Sequence, residues 1–426
     1  MDKKRWLYAA IGVVVMLFVG MVYAWSVFVV PITQEFPEWS KTELSMTFTI
    51  VMIMFCVGCT ISGLVASVVR AKIRIWVAAG MLLVGLLLTA RVQSLILLYM
   101  SFGVICGCAS GIAYGTVMGT IGKWFPDKQG LIAGMLLMGF GLSGFIIGKV
   151  FQAFTSDVAG AWRGTFAVLG VVASASLLIC GFFIKEPDIS FNAPVIASGR
   201  KHYVNLAAME APTNKMVKEP PFWLYFIWSI LLSAAGLALV SQASGIAAEA
   251  NQEVSTSVIA TTVGLISIFN GLGRVIMGSL FDKVGRKIIM QIVNVLFIFA
   301  GMFLIVALKT KSFPMVVIGF IVSGLAYGGV TPTNSAFISS YYGMRHYAKN
   351  FSIINTSLIV ASFGSTISGI LFDVSRSYIG TCVMMCCLAG LGLLISLCID
   401  ICDEHMANMG FYLDTMSQDE TTITNF

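Results

Sequence analysis

The chain has 426 residues, 58% hydrophobic and only 11% charged, whereas an ordinary soluble domain carries about a quarter charged residues. One aqueous core cannot bury that much apolar surface, so the composition excludes a soluble globular protein and predicts a polytopic membrane protein. The formal charge of +6 lies in short loops, where basic residues set topology, and it carries no implication of nucleic-acid binding.

A membrane span needs about 20 apolar residues. Twelve stretches qualify in chain order: roughly 6–30, 43–69, 74–93, 96–121, 131–155, 164–184, 221–246, 256–280, 288–308, 313–339, 350–372 and 377–400. The first follows Met1-Asp-Lys-Lys-Arg-Trp and is too long for a removable signal peptide, so it reads as a span with a basic anchor. Polar breaks then suggest a six-helix half at 1–184, a cytoplasmic linker at 185–220, a second six-helix half at 221–401 and a flexible cytoplasmic tail at 402–426. The expected fold is an all-α membrane protein of twelve transmembrane helices in two pseudo-symmetric halves.

Lysine and arginine give the orientation. With a cytoplasmic N-terminus, 18 basic residues fall in cytoplasmic segments and six in outer ones, which is the positive-inside pattern. Both termini are therefore expected in the cytoplasm, in a multi-pass plasma-membrane protein, with a bacterial inner membrane favoured by the short loops. The remaining two basic residues, Lys149 and Arg274, lie inside spans. No acidic residue is placed deep in a span; Asp157, Asp373 and Asp400 come nearest, each close to a span end.

An ionisable residue within a span is expensive and reads as functional. Arg274 has no fixed anion to neutralise it, and its planar guanidinium matches a carboxylate in bidentate geometry. A small organic anion is thus the expected partner, besides the lipid bilayer. A structural arginine bonded to a facing helix remains the alternative. Asn270 lies one turn away on the same helix face; being an amide, it takes up no proton, which favours exchange of anions over proton coupling. Lys149 sits in the outer third of span 5. It either snorkels to the interface or acts as a second, gating cation.

The ten cysteines fall almost wholly within spans, and His202, His346 and His405 fall in loops or the tail. Neither pattern builds a metal site, and no nucleophile–base constellation or nucleotide loop is present. No metal, cofactor or enzymatic activity is therefore expected. The chain is taken as a monomer.

The halves echo each other. Gly63-Leu-Val-Ala-Ser67-Val-Val-Arg70-Ala-Lys72 follows span 2, and Gly278-Ser-Leu-Phe-Asp282-Lys-Val-Gly285-Arg286-Lys287 follows span 8, at an offset of 215. Parallel repeats of six spans are the plan of transporters that rock two halves about a midplane site. In the second copy Asp282 is placed to accept from a helix N-terminus or from Arg286, as a one-sided latch.

The second loop resembles the signature loop of the major facilitator superfamily; the first copy departs from it at Ser67 and Arg70. Within that superfamily several segments are similar to the oxalate/formate antiporter and monocarboxylate transporter branch. These are Tyr23-Ala-Trp25-Ser, Gly111-Ile-Ala-Tyr114-Gly, Lys123-Trp-Phe-Pro-Asp-Lys, Pro221-Phe-Trp223, Asn270-Gly-Leu-Gly-Arg274 and Thr333-Asn334-Ser335. The resemblance implies a secondary transporter working by alternating access, with Arg274 as the substrate-binding arginine. It also implies a cavity lined by Tyr23, Trp25, Tyr114, Tyr327 and Asn355, although ordinary packing accounts equally well for any one of them. Proton-coupled relatives carry an aspartate at the position of Asn270. The oxalate transporters carry a span-11 lysine where this chain has Leu358, which points to a monocarboxylate such as formate, lactate or pyruvate. The alternatives are an exporter of a larger amphipathic anion or drug, and an oxalate-type dicarboxylate exchanger.

Overall fold

The computed structural model describes the backbone at residues 2–125, 129–155, 160–186, 211–251, 254–343 and 346–423. Side chains are described at the same residues except 2–4, 129–130, 256, 282, 348 and 403–423. Among the described residues, twelve helices are long and apolar enough to cross a membrane: α1 (Arg5–Glu35), α2 (Lys41–Leu64), α3 (Ala71–Thr89), α4 (Leu95–Trp124), α5 (Leu131–Phe154), α6 (Ala161–Phe183), α7 (Pro220–Ala250), α8 (Ser257–Phe281), α9 (Lys283–Thr310), α10 (Phe313–Tyr342), α11 (Lys349–Ser375) and α12 (Ile379–Cys402). The end of the bundle holding Arg5 and Cys402 is termed basal, and the opposite end apical.

Local chemistry sets the helix ends. At the start of α2, Ser40 Oγ accepts from the Glu43 amide while Glu43 Oε2 accepts from the Ser40 amide, a reciprocal capping box. Prolines in the first turn open α7 and α10, where a missing N–H costs nothing. The chain turns from α8 into α9 at Gly285, whose φ of 79° is left-handed backbone that glycine adopts without strain.

Three boundaries differ from the sequence expectation. α1 continues through Pro31 to Glu35. α2 ends at Leu64, because the apolar stretch after it forms a turn. The span of α9 is counted from Lys283 and its continuous helix starts after the Gly285 kink, so Arg286 and Lys287 occupy its first turn instead of a loop. Charge lowers hydropathy without breaking a helix, since arginine and lysine are good helix formers. Beyond the last span, helical backbone runs on to Ile423.

Burial sorts the helices. The apolar window of α7 is 72% buried and that of α12 only 33%, so α7 lies at the centre and α12 faces lipid. Three central helices are irregular. α1 tightens to a 3₁₀ turn at Gly20–Ala24, α4 widens to a π-helical stretch at Tyr99–Cys106, and α11 breaks at Thr356. Such irregularities are tolerated at membrane depth where they are buried in protein or line a cavity.

The two sets of six helices meet along a seam, and its apical part is rich in hydrogen bonds. Thr49 of α2 bonds Thr366 Oγ1 (2.8 Å) and the Ser362 carbonyl (3.0 Å) of α11. Gln242 Nε2 of α7 donates to Ser45 Oγ (2.7 Å), and Ser244 Oγ donates to the Ser26 carbonyl (2.9 Å). Lys149 Nζ of α5 donates to Thr261 Oγ1 and to the Ser257 carbonyl of α8. Asp373 at the end of α11 accepts from the amide and hydroxyl of Thr42 at the start of α2.

Candidate functional site: a buried arginine on the seam

Arg274 lies in α8, seven residues before the helix end, or about 10 Å of rise. It is 1% exposed, far too buried for its charge to reach the interface. Its Nε donates to Asn270 Oδ1 at 2.9 Å, the one-turn contact expected from the spacing. Its Nη2 is buried with no hydrogen-bond partner among the described residues. The guanidinium carbon stands 5.8 Å from the Tyr23 ring and 5.6 Å from the Phe140 ring, so aromatic faces of the first half supply part of its stabilisation.

The backbones come close at this level. A Cβ at Gly141 of α5 would stand 3.1 Å from the Gly271 nitrogen and 3.4 Å from Arg274 Nε. Glycine there lets α5 pass against the arginine itself. The 3₁₀ turn of α1 presents Tyr23, whose hydroxyl shares a hydrogen bond of 2.9 Å with the Tyr327 hydroxyl of α10. This bond crosses the seam beside Arg274. A small cavity lined by Tyr23, Ser26, Ser267 and Asn270, among others, adjoins the pair.

Tyr114 joins the cluster from α4. Its ring centroid is 5.6 Å from Phe140 and 4.8 Å from Phe55, and it lies within electrostatic reach of Arg274, Tyr23 and Tyr347. Toward the basal end its ring stacks at 6.4 Å on Phe351, which stacks on Tyr347 at 5.3 Å. Asn355, at the break in α11, is 1% exposed, and neither amide atom has a properly formed hydrogen bond among the described residues. Its carbonyl accepts from Cys56 Sγ (3.1 Å).

The structure therefore brings Arg274, Asn270, Tyr23, Tyr327 and Tyr114 together. It places the other sequence candidates elsewhere. Trp25 stacks on Phe102 at 5.2 Å, in the packing of the first half. Lys149 bonds α8 thirteen residues before Arg274, about 20 Å away along the helix. Arg286 pairs with Asp400 of α12 at 2.7 Å and donates from Nε to Tyr341 (3.0 Å); the side chain of Asp282 lies outside the described residues. Sequence reading missed Phe140, Tyr347 and Phe351. Phe140 and Phe351 are aromatic residues within spans and Tyr347 lies just before α11, so none carried a signal beyond hydropathy.

Comparisons agree with this architecture. The model of the Major Facilitator Superfamily matches residues 9–357 and 235–405. The MFS-type transporter YhjX of Escherichia coli is 25% identical over 363 residues, covering 83% of this chain and 84% of its own. The oxalate:formate antiporter of Oxalobacter formigenes is 25% identical over 352 residues, covering 81% and 80%. Monocarboxylate transporter 13 of Rattus norvegicus is 22% identical over 316 residues, covering 74% and 70%. Among solved structures, a bacterial homologue of the human lysosomal transporter Spinster superposes with a TM-score of 0.68 at 15% identity, covering 95% of this chain and 99% of that one. With twelve membrane helices in this arrangement and a family model matched along nearly its whole length, the chain belongs to the Major Facilitator Superfamily of transporters.

Proposed function

We propose that the chain carries a small monocarboxylate across the membrane by alternating access, with Arg274 as the group that binds the carboxylate. The observation that carries this reading is a permanently charged guanidinium, 1% exposed, with one nitrogen unpartnered among the described residues. An uncompensated buried cation is strongly destabilising, and a bound carboxylate relieves it. The similarity to the oxalate:formate antiporter and the monocarboxylate transporter supports the same solute class.

In this reading Asn270 fixes the guanidinium, and Tyr23, Tyr327 and Tyr114 enclose the solute. Lys149 and the Thr42–Asp373 contact hold the apical end closed in this conformation. Arg286 steadies the basal turn, where Asp282 is the proposed latch. One cation at this depth suits a single carboxylate, and Leu358, a partly buried apolar residue, adds none. Among the described residues no carboxylate or histidine bonds Arg274, whose side-chain partner is the Asn270 amide, so exchange of anions is the favoured mode.

The test is uptake of labelled formate, lactate, pyruvate and oxalate into proteoliposomes, with and without internal anion. Arg274→Gln is expected to abolish uptake. Arg274→Lys, which keeps the charge and loses the planar fork, is expected to raise KM at least about tenfold, the equivalent of one charged hydrogen bond. Parental uptake by Arg274→Gln would overturn the assignment.

A further inference from the structure

A second buried arginine stands at the basal end of the first half, outside the site just described. Arg74, in the first turn of α3, is 5% exposed. Its Nη1 donates to the carbonyl and the hydroxyl of Ser62, each at 3.1 Å. Its Nε is buried with no partner among the described residues. Its Nη2 lies 3.6 Å from Glu186 Oε1, an ion pair too long for a hydrogen bond. Lys123, at the end of α4, donates to the other oxygen of the same carboxylate at 3.0 Å. Among the described residues two cations thus share one anion, which leaves the cluster a surplus positive charge.

These three residues line a cavity together with Cys59, Tyr347 and Phe351. Phe351 also stacks on Tyr114, so the cavity adjoins the aromatic cluster around Arg274. Glu186 follows α6 on a short non-helical segment. The adjacent Lys185 carbonyl accepts from Trp124 Nε1 of α4 (2.9 Å), so the segment is held beside the two cations while the carboxylate itself belongs to no helix.

We infer that Arg74 and Lys123 form a receiving site for a small carboxylate at the basal mouth of the pathway, and that Glu186 is its resident occupant, displaced by the arriving solute. Binding at this site is independent of Arg274; its place in transport rests on the function proposed above. The chemistry is that of an ion-exchange group. The site keeps its cations paired when no solute is near, and releases them to a competing carboxylate without exposing bare charge. A purely structural role, strapping α3 and α4 to the end of α6, predicts no such exchange.

The test uses the full chain in detergent, carrying Arg274→Gln to silence the central site. Trifluoroacetate is the probe, followed by ¹⁹F NMR titration. Adding Glu186→Gln removes the internal competitor and is expected to tighten trifluoroacetate binding roughly tenfold, the equivalent of one charged hydrogen bond. Adding Arg74→Gln to that variant should return binding to the starting level. Lys123→Gln, at a half-exposed position, should do the same and serves if the arginine variant fails to fold. The inference is overturned if Glu186→Gln leaves affinity unchanged, or if the gain survives removal of both cations. Either result leaves Arg274-dependent uptake untouched, so this idea and the proposed function fail separately.

Discussion

Asn270→Asp is the sharpest probe of the central site, because it changes one atom type and almost no volume. Arg274 Nε and Asn270 Oδ1 are 2.9 Å apart, which puts an introduced carboxylate about 4 Å from the guanidinium carbon. At an effective dielectric constant of about 20, unit charges at that separation attract by about 4 kcal/mol. A solute that needs the same guanidinium must overcome that attraction, so its affinity should fall by as much as roughly a thousandfold. The loss should depend on pH. Above the pKa of the introduced group the carboxylate is ionised and occupies Arg274; below it the group is neutral and the arginine is free for the solute. Uptake by the variant should therefore rise as pH falls, while the parent, with no titratable group bonded to Arg274, should lack that limb. Initial rates of uptake into proteoliposomes across acidic to neutral pH measure both quantities. An Asn270→Asp protein with parental KM and the parental pH profile would refute the claim that the solute and Asn270 share this guanidinium.

Two further outcomes follow from buried pairs. Tyr23→Phe strands the buried Tyr327 hydroxyl, and Tyr327→Phe does the reverse; each should cost about 1–3 kcal/mol, while the double variant should cost less than their sum. Thermal unfolding in detergent reads this cycle, and strict additivity would show that the 2.9 Å contact contributes no coupling. Asp400→Asn removes a carboxylate paired with Arg286 at 2.7 Å, both side chains being 8% exposed. It should destabilise the protein by up to about 3–5 kcal/mol, and an unchanged melting temperature would mean that the arginine's other contacts, Tyr341 among them, satisfy it.

The twelve spans were legible because each is a local property, a run of apolar residues long enough to cross lipid. The Arg274–Asn270 contact was legible for the same reason, since a spacing of four places side chains on one helical face. Tyr23 and Tyr327 are 304 residues apart, and no periodicity predicts that their hydroxyls meet. Asp400 looked like an ordinary span-end acid until packing set it against Arg286. The 3₁₀ turn that presents Tyr23 was hidden as well. Gly20–Ala24 reads as one more apolar stretch, and its geometry comes from the helices around it. Trp25 was singled out by a local motif, but its position is decided by which face of that turn meets α4.

The seam and the interiors of the halves are built from different materials. Among the described residues, the ion pairs join helices of the same half or its flanking segment: Arg163 to Glu35 at 2.6 Å, Arg286 to Asp400 at 2.7 Å, and Arg74 and Lys123 to Glu186. Apart from Lys149 and Asp373 near the apical end, the bonds described between halves run through hydroxyls, an amide and a thiol. Water can replace such a neutral bond at a net change of only about 0.5–1.5 kcal/mol, whereas opening a buried ion pair such as Arg286–Asp400, both side chains 8% exposed, is far more expensive. The molecule thus resembles two stiff shells joined by a fastening that solvent can undo. Substitutions that harden the shells should raise the melting temperature and leave turnover alone. Substitutions that harden the fastening should slow the cycle even where they touch no solute.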